Sequence, residues 1–298
     1  MKLSANASAV LAMLACSVIW GTTWYAITLQ LGVVDPVASI VYRFGLAAAI
    51  LFAGLLLFRQ KIRLTKAQHL AVAGQGLFTF AIDYAFVYWA EERVASAVVA
   101  VIFASLALLN LIAFRLALGR KAPWLAWGGA LLGVAGVAVL SRAELANADF
   151  DREAATGVGL ALIAVAGAAI GNLCAWRSQQ LGAPVAPATA WAMAYGTGML
   201  ALYGLITGIE WRFETSWSYV LSLLHLSILG SVVAFVLYFG LARSRGYALA
   251  SYISALTPPV AMLMSVAFEG ASFGLLALSG LVLVLGGQLL LARAPKTA

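Results

Sequence analysis

Apolar residues run almost without interruption along this chain, and the polar positions that break the run recur at about the length of a bilayer-spanning helix. The longest break is the stretch Ser141 to Thr156, which carries Arg142, Glu144, Asp149, Asp151, Arg152 and Glu153. Before it the pattern predicts apolar helices at roughly 8–29, 37–58, 69–90, 95–117 and 123–141. After it the same pattern predicts helices at roughly 157–178, 188–208, 217–241, 249–268 and 273–292. Pro36, Pro123 and Pro187 stand at or just before predicted helix starts, where a missing backbone donor costs nothing, while Gly119, Gly182 and Gly246 mark loops. The expected fold class is an all-α membrane protein with ten transmembrane helices.

Composition strengthens this reading. Apolar residues make up 64% of the 298 positions and charged residues 10%, with a mean hydropathy of +0.99. Soluble domains are about half apolar and about a quarter charged. Ten spans leave about a hundred residues for loops and termini, too few for a separate soluble domain. The net charge of +7 does not imply nucleic acid, because the 18 Lys and Arg residues sit at segment ends instead of forming one basic face. Cys16 and Cys174 fall inside apolar segments and read as small buried hydrophobes, neither a disulfide nor a metal site. The run after Lys2 continues past Leu14-Ala15-Cys16 to about Leu29, a span's length and too long for the core of a signal peptide, so it is expected to be the first helix.

The basic residues also orient the chain. Lys2, Arg59, Lys61, Arg63, Lys66, Arg115, Arg120, Lys121, Arg177, Arg243, Arg245, Arg293 and Lys296 share one side, whereas Arg93, Arg142, Arg152 and Arg212 share the other. Cytoplasmic loops carry the excess, so both termini are expected in the cytoplasm of a plasma (inner) membrane protein.

An internal repeat is expected at an offset of 150, at which Gly21 matches Gly171, Gly32 matches Gly182, Tyr88 matches Tyr238, Arg93 matches Arg243, Gly136 matches Gly286 and Leu140 matches Leu290. Five spans is an odd number, so a second copy starts from the opposite side of the membrane. Residues 1–150 and 151–298 then form two inverted five-helix repeats, a plan typical of secondary transporters with a site near the midplane.

Several groups could line such a site. Trp20, Thr23 and Trp24 form a stripe at helical spacing in the first span, Asn172 and Trp176 another in the sixth, and Tyr84 and Tyr88 a third. Asn110 and Asn172 are costly in hydrocarbon and must face protein or water, with interhelical hydrogen bonding as the plain alternative to substrate contact. Pro258 and Pro259 remove the donors that would bond the carbonyls of Ser254 and Ala255, so a helix break is expected there, with Ser251 and Ser254 on the same face. The expected substrate-binding set is Trp20, Thr23, Tyr84, Asn110, Asn172, Trp176, Tyr252 and Ser254. Gly129 with Gly133, and Gly167 with Gly171, have the spacing of close helix packing. Arg43 and Asp83 are the two charges inside the spans, at similar predicted depth, and a structural ion pair between them is expected, the alternatives being Arg43 reaching to the outer headgroups and Asp83 acting as a proton-coupling acid.

These residues narrow the function. A doubly charged phosphate would find little compensation near Arg43 alone, whereas aromatic walls with amide and hydroxyl groups suit neutral or zwitterionic molecules such as amino acids. His69 and His225 lie near opposite faces without clustered partners, and no Walker A pattern is present, which argues against an intramembrane enzyme and against ATP hydrolysis by that route. A passive facilitator or channel for small solutes stays open.

Ile19-Trp20-Gly21-Thr22, Pro36 with Tyr42-Arg43-Phe44 and Ala47-Ala48, Ala95-Ser96-Ala97, the stretch from Ala248 to Pro258 and the Gly-rich fifth and tenth spans together resemble the EamA-type ten-helix exporters of the drug/metabolite transporter superfamily. Among these the chain is most similar to the aromatic amino-acid exporters. The resemblance implies export of amino acids and related metabolites. The two halves suit alternating access, and the expected partners are the lipid bilayer and a small-molecule substrate, with no nucleic acid, no cofactor and no metal; the sequence leaves the oligomeric state open, a monomer included. In the family an acidic residue often ends the fourth span; Glu269 fits that pattern in the second half, and Gly119 stands in its place in the first.

The asymmetry of basic residues makes a topological prediction. Reporters at the N-terminus, at Lys61 and at the C-terminus should be cytoplasmic, and one at Asp149 external. An external C-terminal reporter would overturn the ten-span reading.

Overall fold

The computed structural model describes residues 5–147, 152–250, 252–270, 272 and 274–293, and no strand occurs among them. Helices α1 (Ala5–Thr28) and α2 (Pro36–Leu57) come first. A continuous rod, Lys66–Glu91, follows. In it α3 (Lys66–Gln75) passes through a π-helical segment (Gly76–Asp83) into α4 (Tyr84–Glu91). Next come α5 (Ser96–Phe103) and α6 (Leu106–Leu118), parted by a turn at Ala104 and Ser105, then α7 (Trp124–Asn147), α8 (Arg152–Gln180) and α9 (Val185–Thr207). In the rod Trp217–Arg245, α10 (Trp217–Leu224) leads through a second π-helical segment (His225–Val233) into α11 (Ala234–Arg245). α12 (Tyr247–Ala250), α13 (Tyr252–Phe268) and α14 (Leu275–Arg293) complete the order.

Among the described residues six helical stretches are long and apolar enough to cross a membrane: Ala7–Thr28, Pro36–Leu57, Lys66–Glu91, Ser96–Leu118, Arg152–Gln180 and Trp217–Arg245. Three shorter apolar helices, Trp124–Val139, Leu256–Phe268 and Leu275–Gly287, accompany them. Large apolar side chains such as Leu57, Leu70, Leu116, Trp124 and Leu263 face outward on these helices, as a lipid solvent allows.

Local chemistry explains where the helices begin. Asp35 accepts a hydrogen bond from the Val37 amide at 2.8 Å, with Pro36 at the first helical position of α2. Thr65 and Gln68 close a reciprocal capping box at the start of α3. Pro187 falls inside α9 but within its first turn, where the missing donor is still harmless. α6 ends on Gly119 at φ 66°, a left-handed conformation that a residue with a Cβ adopts only at a cost.

The polar break in the sequence is shorter in space than its composition predicts, because α7 runs on to Asn147 and α8 begins at Arg152. Polar residues end a membrane span without ending its helix. Glu153, in the first turn of α8, complements the positive end of the helix dipole, and its carboxylate lies 3.3 Å from Arg93 Nε. Pro258 and Pro259 likewise do not break their helix: both lie inside α13, because the proline φ is itself helical.

Small residues set how the helices pack. α7 and α14 approach so closely that a Cβ on Gly287 would overlap the Gly129 carbonyl and lie 2.6 Å from the Gly133 amide nitrogen, while one on Gly136 would lie 2.6 Å from the Gly280 carbonyl. Gly76 and Gly196 interlock the first π segment with α9, and Gly167 and Gly171 lay α8 along Phe78, Thr79 and Asp83. α2 also packs on α9, α1 on α13, and the second π segment on α1 and α2. Apolar side chains gain nothing from leaving lipid, so the fold draws on dispersion contact at short backbone separations.

Gly287→Leu should therefore force α14 away from α7, with an overpacking cost of about 1–3 kcal/mol. The check is a thermal melt of the purified protein in detergent. Gly274→Leu, whose Cβ would meet open space, is the control, and an equal melting temperature for the two variants would sink the close-packing account.

Candidate functional site

A cavity opens where the central helices meet. α1 contributes Trp20, Thr23, Trp24 and Ile27, the first π segment Thr79 and Asp83, and α4 Tyr84 and Val87. The turn between α5 and α6 brings Phe103 and Leu106, α8 Ala168 and Asn172, α11 Phe235 and Tyr238, and α13 Ser254 and Thr257. Aromatic rings form most of the wall. Trp20 packs on Phe235 and Tyr238 with centroids 5.2 and 5.3 Å apart, and Trp24 on Phe103 at 5.0 Å.

Irregular backbone positions this wall. Trp20 Nε1 donates to the Gly230 carbonyl in the second π segment at 3.0 Å. In α13 the Pro258 ring removes the donor that the Ser254 carbonyl would receive, and the Thr257 hydroxyl supplies it instead at 2.9 Å. In the turn between α5 and α6 the Ser105 hydroxyl donates to the Ile102 carbonyl at 2.6 Å, beside the Ser105 amide at 3.0 Å. α1 reaches the proline pair closely, since a Cβ on Gly21 would overlap the Val260 side chain and lie 3.3 Å from the Thr257 carbonyl.

Of the residues expected to bind substrate, Trp20, Thr23, Tyr84, Asn172 and Ser254 line this cavity. Asn110 stands behind the wall, where its side-chain carbonyl accepts from Asn172 Nδ2 at 3.2 Å. Trp176 is off the cavity, packed on Phe114 at 6.0 Å with the Arg120 guanidinium 5.1 Å from its ring. The side chain of Tyr252 lies outside the described residues, as does Ser251. Phe103, Phe235 and Thr257 were not expected from the sequence. Tyr238 carries a signal there as the repeat partner of Tyr88, and Thr257 as the hydroxyl preceding two prolines.

Arg43 and Asp83 do not form the expected ion pair. The ion pairs among the described residues are Arg93 with Glu92, Arg93 with Glu153 and Arg212 with Glu210. Arg43 is fully buried, with its guanidinium carbon 4.5 Å from the Tyr84 ring centroid and 5.0 Å from that of Phe44. Its Nε donates to Ser231 Oγ at 3.1 Å, while Nη1 and Nη2 find no hydrogen-bond partner among the described residues. Equal depth thus brought the two charges near one another, but the Tyr84 ring takes the guanidinium and the Asp83 carboxyl stands in the cavity wall.

Comparison with known proteins adds the family. The model of the EamA-like transporter family matches residues 7–142 and again residues 155–293. An inner membrane transporter of Escherichia coli strain K12, named YedA and described as uncharacterized, is 30% identical over 262 residues, covering 87% of this chain and 82% of that protein. The protein PagO of Salmonella typhimurium is 30% identical over 118 residues, 40% of this chain and 39% of its own length. A crystal structure that is 20% identical superposes with a TM-score of 0.73 over 95% of this chain and 96% of its own, which shows the same fold.

The hydroxyl that replaces the proline donor can be tested. Thr257→Val leaves the buried Ser254 carbonyl without a partner and should cost about 1–3 kcal/mol, whereas Thr257→Ser should restore most of it. Thermal melts in detergent compare the two. Equal loss in both would show that the hydroxyl does not carry the contact.

Proposed function

This chain belongs to the EamA-like transporter family, and from that premise we propose that it exports small zwitterionic metabolites, aromatic amino acids included, by alternating access between two inverted halves of five spans each. It is a membrane transporter, not an enzyme. The observation that carries the reading is the cavity itself: aromatic area from Trp20, Trp24, Tyr84, Phe103, Phe235 and Tyr238, with a few polar groups at Thr23, Asn172, Ser254 and Thr257. Such a wall offers stacking area together with orientation, which is what an amino acid requires.

Three observations support the inverted halves. The family model matches the chain twice. The π segments end at Asp83 and Val233, positions 150 apart. Packing also exchanges under that offset: the first π segment lies on α8 and α9, the second on α1 and α2, and α1 packs on α13 as α8 packs on α5 and α6. Residues 1–150 and 151–298 are then the two halves, with the cavity between them. The name of the Escherichia coli relative and the distribution of basic residues favour an inner-membrane location with cytoplasmic termini.

Counterflow in proteoliposomes separates a carrier from a passive channel. Unlabelled phenylalanine on the far side should accelerate entry of labelled phenylalanine, and an unchanged rate would favour the channel. Cysteines at Thr23 and Ser254 should be protected from small aqueous thiol reagents by substrate, and one at Trp176 should not. Protection at Trp176 alone would move the site off this cavity.

A further inference from the structure

Asp83 is the one carboxylic acid among the described residues that line the cavity. It is 4% exposed and makes no hydrogen bond or ion pair among the described residues, and its Oδ1 is wholly enclosed without a partner among them. A carboxylate in that position is uncompensated by any donor, and burial of an ion without donors is far costlier than burial of a neutral group. The carboxyl is therefore neutral in one of two ways: with a proton on an oxygen, or with a cation from the cavity against it.

The surroundings do not supply that cation. Arg43, from α2, acts on Asp83 through space but stacks on Tyr84 and gives its Nε to Ser231. Tyr84, Tyr88 and Glu91 stand further along the same rod, and His225, in the second π segment, donates to or accepts from the Thr22 hydroxyl at 3.0 Å. α8 faces Asp83 with Gly167 and offers the uncharged Ala168 and Asn172 to the cavity. Tyr195 of α9 and His69 of α3 are bonded to one another at 3.0 Å, towards the opposite end of the π segment, and Cys174 of α8 lies against Gly74. α11 contributes Tyr238 to the cavity wall.

We propose that Asp83 is an exchange site at which the ammonium group of the substrate and a proton compete for the same carboxyl oxygens. This rests on the reading above that the cavity binds amino acids, and it adds the group recognised and the coupled ion. The aromatic wall suits the same partner, because an ammonium group is attracted to ring faces as well as to the carboxylate. The step balances as Asp83–COOH plus R–NH₃⁺ giving Asp83–COO⁻ bound to ⁺H₃N–R plus one proton released to water. No covalent bond other than O–H breaks. Release of substrate on the far side requires a proton to return to Asp83, so each ammonium group carried outward brings one proton inward.

The test uses the purified full-length protein in detergent with labelled phenylalanine, phenethylamine, which keeps the ammonium group, and 3-phenylpropionate, which lacks it. Phenethylamine should compete with phenylalanine and 3-phenylpropionate should not. Binding should release about one proton per phenylalanine into weakly buffered solution, and below the titration of Asp83 affinity should fall about tenfold per pH unit. Asp83→Asn should bind without proton release and without that pH dependence. Asp83→Glu, which keeps the carboxyl, should retain both. The wild-type proton count stands whether or not the variants fold. Binding of phenylalanine with no proton release, or equal competition by 3-phenylpropionate, overturns the exchange site and leaves the amino-acid reading standing. Binding of phenethylamine with proton release but no binding of phenylalanine supports the exchange site and overturns the amino-acid reading. Binding of none of the three overturns both.

Discussion

A backbone carbonyl at membrane depth has no water to turn to, so wherever a helix departs from its regular ladder another group in the protein must take the freed oxygen. The helices here depart from it at two π segments, at the turn between α5 and α6, and at the proline pair of α13. Side chains donate to carbonyls at three of these places: Trp20 to Gly230 and Ser231 to Leu226 in the second π segment, Ser105 to Ile102 in the turn, and Thr257 to Ser254 at the proline pair. Those bonds hold in place the same segments that wall the cavity. Irregular backbone and binding surface coincide because protein-lined space is the one place in a membrane where irregular backbone is tolerated.

Small residues carry the second constraint. Gly21 lets α1 approach α13, and Gly76, Gly167, Gly171 and Gly196 let the first π segment, α8 and α9 approach within backbone contact. A helix whose surface is smooth at these points can lie close enough for a π segment to present Thr79 and Asp83 to one space. Gly230 plays the same part in the second π segment, where a Cβ would lie 2.6 Å from the Thr23 methyl. The cavity persists because close packing around it is supplied by glycine, while its own wall is built from large rings that cannot collapse into the gap.

Arg43 links the two. It is fully buried, yet its charge is met by ring faces and one hydroxyl, not by a carboxylate. Cation–π contact of this kind is worth about 2 kcal/mol or more when desolvated. The guanidinium therefore lends positive potential to the interior without consuming the acid in the cavity wall, and the charge of that wall is left for a ligand or a proton to balance.

The sequence by itself determined the properties that are local or additive. Membrane class follows from hydropathy, helix starts from Pro36 and Pro123, and close packing from the glycine spacing in α7 and α8. The stripe of Trp20, Thr23 and Trp24 on one face of α1 follows from helical periodicity, which needs no knowledge of the partner. The tertiary structure decided what depends on contacts between residues far apart in the chain. The π segments have no composition that marks them, because a π turn is selected by what packs on it. Asn110 and Trp176 share the polarity and spacing of cavity residues, yet one is taken by Asn172 and the other by Phe114 and Arg120. Depth along a helix axis could be counted from the sequence and brought Arg43 near Asp83. The direction in which each side chain turns around that axis could not, because Tyr84 and Ser231 compete for the guanidinium only once the helices have packed.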